Sequence, residues 1–289
     1  MITLKNEAYT ATISELGAEI QQIENNDSGR KYLIDDPQGK YWNRHAPILF
    51  PSIGKSNDDT YLLDGKAYPM GQHGFARDFE FDEVNQQDET HVTLTLHANA
   101  ETLKKFPFNF ALRVSYVLTN TGLTTDFEVV NHDDKPFPYA LGSHPAFQLN
   151  APLEDYRLTL EGVSSPLTKF GVGPVPFRDG SVQKLSATNV VPLSHKLLDD
   201  GLVIINAPEA TAAVLQDKDG SHTVKVSLDD FPYVCIWSPE HKTAPFMCVE
   251  PFAGLPDQAG KPGEWTKKAG NNILAANSSQ NYSYTMTLD

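Results

Sequence analysis

The chain has 289 residues, 40% hydrophobic and 21% charged, with a formal net charge of −14. The length suits one large β domain or two smaller ones, and the composition is that of a globular protein. The negative charge repels phosphate backbones and anionic headgroups, which argues against nucleic acid or a membrane surface as a partner.

Met1 to Glu7 has no basic segment followed by an apolar one, so no signal peptide is expected. No apolar run approaches the roughly 20 residues of a membrane span. The expected location is the cytoplasm. Asp64-Gly65 predicts a tight hairpin. Gln72-His73-Gly74-Phe75-Ala76-Arg77-Asp78 then gathers an imidazole, a glycine, an aromatic and a guanidinium. Those parts suit a polyhydroxylated, uncharged ligand. They equally suit a surface loop whose Arg77 pairs with Asp78 or Glu80.

From here period-two alternation dominates. His91–Leu96, Leu112–Leu118, Leu123–Val129, Tyr156–Leu160, Val224–Leu228 and Tyr282–Leu288 each read as a strand with one face in a core. Ala98–Phe106 predicts two helical turns ended by Pro107, and Ser194–Asp199 one more. Asn120-Thr121-Gly122, Asp179-Gly180 and Asp219-Gly220 read as turns between strands, the last as a tight hairpin. The proline- and glycine-rich stretch Val163–Asp179 reads as a long surface loop. Many strands, short turns and few short helices predict an all-β, antiparallel sandwich or barrel forming one domain over residues 1–289.

Two stretches carry candidate chemistry. In Gly142-Ser143-His144-Pro145-Ala146-Phe147, a glycine and a proline hold an imidazole rigidly, either beside a ligand or in a core with a backbone partner. In Val249-Glu250-Pro251-Phe252, a carboxylate ends an apolar run; burial makes such a group a better base near neutral pH, unless an arginine pairs with it. Phe75, Phe147, Trp237 and Phe252 are aromatic candidates for a stacking face, with Trp237 favoured at its strand end. Cys235 and Cys248 lie in apolar runs without metal-ligand spacing and read as buried, reduced thiols. The histidines make no paired metal motif, so neither a metal nor a cofactor is expected. Serine-hydrolase, dinucleotide and P-loop motifs are absent.

Four blocks in order, Trp42–Gly54, Gln72–Arg77, Ser143–Phe147 and Val249–Phe252, resemble the aldose 1-epimerase (galactose mutarotase-like) family, in its LacX-like bacterial branch. The resemblance implies a large antiparallel β-supersandwich with a sugar cleft on one concave sheet. It implies His144 as general acid toward a pyranose ring oxygen and Glu250 as general base toward the C1 hydroxyl. His73 matches a second sugar-binding imidazole, Arg44 a hydroxyl-binding arginine, and Arg77 a substrate or bracing contact. The family's aspartate on vicinal hydroxyls has Asp200 as its best match here, then Asp217.

The expected activity is therefore anomer interconversion of an aldohexose by a monomer or homodimer. Two alternatives stay open. A hexose-6-phosphate 1-epimerase needs clustered cations, for which Arg44, Lys55 and Arg77 are available. A sugar-binding or sensing protein on the same fold needs no chemistry.

Overall fold

The structure, a computed structural model, describes residues 1–164 and 166–289. Two large antiparallel sheets form its layers. One has nine strands in the order Val190–Pro192, Tyr156–Glu161, Ala212–Asp217, Thr223–Ser227, Ser279–Leu288, Gly122–Asn131, Phe110–Thr119, His91–His97 and Glu83–Gln86. The other has eight. Its main path is Arg178–Ser186, Leu167–Val172, Val203–Asn206, Tyr233–Trp237, Phe246–Ala253, Leu141–Ser143 and Ile48–Leu49. Ala146–Gln148 also pairs with Phe246–Ala253.

Alternation explains which faces meet. Val114, Tyr116 and Leu118 of one sheet and Val234, Ile236, Met247 and Val249 of the other enter one shared core. Each such side chain, fully buried, contributes roughly 1.5–3 kcal/mol. The outer face of the nine-stranded sheet carries ion pairs, Arg113–Glu128 and Lys225–Glu161, both at 2.6 Å. The outer face of the eight-stranded sheet is different. Ile204, Cys235 and Phe252 pack there with Leu49, Ile53 and Leu255. Phe246 and Cys248 pack there with Ile34 and Ala146, flanked by Trp42 and Trp237. A sheet with apolar side chains on both faces must have its second face covered, and here loops cover it only in part.

The expected strands are present. Asp64-Gly65 joins Thr60–Leu63 to Lys66–Pro69, with Leu63 opposite Lys66. The helix Ala100–Lys105 starts at Asn99, whose side chain accepts from the amides of Glu101 and Thr102. Ser194 caps His195–Leu198 through Leu197 N, at 3.1 Å.

Three expectations need correction. Asp219-Gly220 lies in the longer connection 218–222, where Asp217 accepts from Ser221 Oγ and His222 N at 2.8 and 3.1 Å. Val163–Asp179 is not one loop. Leu167–Val172 pairs with both Val203–Asn206 and Arg178–Ser186, and the glycine and prolines of 173–176 occupy only the tip of that hairpin. Ser165, in the same stretch, lies outside the described residues. Asp179-Gly180 sits inside Arg178–Ser186, not between strands. Its turn is local: Asp179 Oδ1 accepts from Ser181 N at 2.7 Å, and the irregular register of this pair absorbs it.

Candidate active site

The site grows from a break in one ladder. Gly142 pairs with Phe252 and Ala146 with Cys248, so the register is the same on both sides of His144-Pro145. His144 therefore falls opposite Glu250. On the other edge of the same strand, Cys235 is the partner of Glu250. Pro251 has no amide to donate, and it lies beside this interruption. The backbone of 45–47 secures the break: His144 N donates to Pro47 O at 3.1 Å and Ala146 N to His45 O at 2.9 Å.

These constraints bring His144 Nε2 to 3.3 Å from Glu250 Oε2, with the residues 6% and 1% exposed. Burial pushes the Glu250 carboxyl well above its usual range and holds the His144 imidazole below its own. Among the described residues, Glu250 Oε1 and His144 Nδ1 have no hydrogen-bond partner. Both shifts favour the form in which the pair's proton sits on the carboxyl.

Around the pair lies a cleft of about 430 Å³, within the range of small-molecule sites. Its walls include Trp42, Arg44, Gln72, His73, Arg77, Trp237, Glu240 and Phe252. Trp42 lies 4.8 Å from the His144 ring and 5.6 Å from the Trp237 ring, centroid to centroid. Trp237 Nε1 donates to Glu240 Oε1 at 3.2 Å, which fixes a carboxylate at the rim.

His73 enters from the loop after Lys66–Pro69, itself at φ +65° and followed by Gly74, also at positive φ. Gly74, at φ +74°, packs so tightly that a Cβ there meets Phe50 O at 2.2 Å. Gly54 N donates to His73 Nδ1 at 3.2 Å, so the proton of the neutral ring is on Nε2. Burial, with the neighbouring His144, Arg77 and Arg44, keeps that ring neutral. Nε2 lies beside the Gln72 side-chain amide, 3.3 Å away.

Both arginines reach the cleft. Arg44 pairs with Asp78 at 2.5 Å and lies 3.8 Å from buried Glu19. Arg77 does not pair with Asp78 or Glu80; its Nη2 donates to Gln72 O at 2.9 Å.

The structure thus brings His144, Glu250, His73, Arg44, Arg77 and Trp237 together. It does not bring Asp200, which is exposed and lines a separate hollow with Lys169, Phe170 and Gln183. Asp217 is buried at the end of Ala212–Asp217 in the other sheet, where it accepts from His222 N. Phe75 and Phe147 are core residues, whereas Phe252 lines the cleft. Sequence reasoning passed over Trp42 and Glu240 as site residues. Trp42 begins the block ending at Gly54, and Glu240 follows Trp237 through one short turn, so both signals were local. Glu19 was also missed. It accepts from the amides of His45 and Ala46 at 2.6 and 3.1 Å, a contact across sequence that no motif marks.

Comparison with known proteins agrees with this geometry. The family described as aldose 1-epimerase matches residues 1–275. The plasmid and chromosomal LacX proteins of Lactococcus lactis are 34% identical over 272 residues, covering 88% of this chain and of each of theirs. A galactose mutarotase-like protein from Lactobacillus casei superposes with a TM-score of 0.97 at 49% identity, over 100% of both chains. A galactose mutarotase related enzyme from Lactobacillus acidophilus superposes with a TM-score of 0.92 at 30% identity, over 99% of this chain and 96% of that one. The four sequence blocks converge on one cleft, and the match spans nearly the whole chain: the protein belongs to the aldose 1-epimerase family.

Proposed function

We propose that the cleft interconverts the α and β anomers of a free aldohexose, galactose among them, with His144 and Glu250 as the proton-transfer pair. The observation that carries this is their buried contact at 3.3 Å on the floor of an open cleft. Mutarotation gives a proton to the ring oxygen and takes one from the C1 hydroxyl, two oxygens on the same carbon. Two adjacent groups that share one proton suit that exchange. Passing the proton from Glu250 to His144 makes the imidazolium the acid and the carboxylate the base. Glu250 then removes the C1 hydroxyl proton while His144 protonates the ring oxygen. The C1–ring oxygen bond breaks, the aldehyde turns about C1–C2, and reclosure reverses both transfers. A placed acid and base each contribute on the order of 10²- to 10⁴-fold.

The remaining walls supply binding. His73 Nε2–H and the two guanidinium groups donate to hydroxyls, and the Trp42 and Trp237 rings offer an apolar face to ring C–H groups. Glu240 takes the vicinal-hydroxyl role for which Asp200 was the sequence candidate. A 6-phosphate is disfavoured. Lys55 leans toward Asp59 at 3.9 Å and is not part of the cleft wall, and Arg44 is already balanced by Asp78 and Glu19. Among the described residues, no helix is long and apolar enough to cross a membrane. With two free buried cysteines, our reading is a cytoplasmic enzyme acting as one unit over 1–289, monomer or homodimer.

The test is anomer exchange followed by NMR on galactose, glucose and their 6-phosphates. Acceleration on a free hexose is expected. Acceleration confined to the phosphates would contradict the substrate assignment.

A further inference from the structure

Behind the proton-transfer pair lies a thiol that the reaction does not use. Cys248 stands two residues before Glu250, so both side chains project from the same face of Phe246–Ala253. One coordinating atom from each of His144, Cys248 and Glu250 lies within 4.8 Å of the others, and all three residues are buried.

An imidazole nitrogen, a thiolate sulfur and a carboxylate oxygen are the donor types that Zn²⁺ prefers. Its tetrahedral bonds put ligand atoms roughly 3.3–3.8 Å apart. His144 Nε2 and Glu250 Oε2 already have that spacing, at 3.3 Å. Closing the remaining gap asks for a side-chain adjustment at Cys248. We infer that His144, Cys248 and Glu250 form a binding site for zinc-class divalent cations on the cleft floor, and that occupancy blocks anomer exchange. On binding, the carboxyl and the thiol each release a proton to solvent and the neutral imidazole gives its lone pair. His144 and Glu250 both line the cleft, so a fourth ligand would come from that side. Only the inhibitory consequence rests on the proposed mutarotase reading; the metal site stands on the geometry.

The experiment uses metal-stripped protein, with Co²⁺ as an optical probe and Zn²⁺ as competitor. At one equivalent of Co²⁺, a thiolate-to-cobalt charge-transfer band is expected, displaced by Zn²⁺, absent in Cys248→Ser and retained in Cys235→Ser. Zn²⁺ affinity should fall at least about tenfold in Cys248→Ser, since loss of even an outer-shell partner has that effect. In the exchange assay Zn²⁺ should inhibit the wild type at concentrations that leave Cys248→Ser active, with equal metal-free rates. Cys248→Ala serves the same comparison if the serine variant does not fold. No band at one equivalent, or a band and Zn²⁺ affinity unchanged in the Cys248 variants, would overturn the site. The expected band and affinity in a protein without metal-free exchange would keep the site and overturn the mutarotase reading.

Discussion

Glu250 and His144 are held where water would otherwise favour their charged forms, and this sets a pH signature on stability. The folded pKa of Glu250 is raised above the ordinary 4.5. Its contribution is therefore full below pH 4.5 and is lost as pH rises toward the folded pKa, by about 1.4 kcal/mol per pH unit crossed. Glu250→Gln removes the penalty, so chemical denaturation should find the variant more stable than wild type at pH 7 and no more stable at pH 4. His144 has the opposite sign: its folded pKa falls from 6.5 to about 3. Its contribution is full above pH 6.5 and is lost as pH falls toward 3, and His144→Asn should flatten that acid limb. Both residues were legible because proline and apolar neighbours fix them locally. Asp200 was only the best match to the family's aspartate, with no such local constraint, and the cleft wall is assembled across strands, where Glu240 follows Trp237. Glu240→Gln should raise KM with a smaller effect on kcat, whereas Asp200→Ala should change neither. The reverse pattern in steady-state kinetics would return the vicinal hydroxyls to Asp200.

At the scale of elements, the site depends on two devices. The first is the loop that presents His73. A side chain at Gly74 meets both the backbone of Phe50 and a positive φ, so Gly74→Ala should cost at least about 1–3 kcal/mol in denaturant unfolding. A neutral result would show that the loop tolerates displacement. The second is Glu19, which joins the end of the small sheet Ile2–Lys5, Tyr9–Ile13 and Ile20–Asn25 to the segment carrying Arg44. Glu19→Ala leaves two amides without their acceptor and should destabilise by about 1–3 kcal/mol while raising KM through Arg44. Strand and helix identities came through from alternation and capping residues such as Asn99 and Ser194. The hairpin through 167–186 did not. Its edge strand Arg178–Ser186 is largely exposed and lacks alternation, and proline and glycine dominate the composition of its tip.

For the molecule as a whole, two sheets divide the labour. The nine-stranded sheet closes the core and meets solvent with charge; the eight-stranded sheet keeps apolar side chains on its outer face and opens the cleft among them. The sandwich class was readable from strand patterning. The strand order that puts Cys235, Glu250 and His144 side by side was not, because register between distant segments leaves no local trace. The most direct measurement is the anomer-exchange rate of wild type, Glu250→Gln and His144→Asn on one free hexose, with sugar affinity measured in parallel. The account predicts acceleration by wild type, a loss on the order of 10²- to 10⁴-fold in each variant, and retained sugar binding. Wild-type exchange rates in either variant, or sugar binding without any acceleration by the wild type, would contradict it.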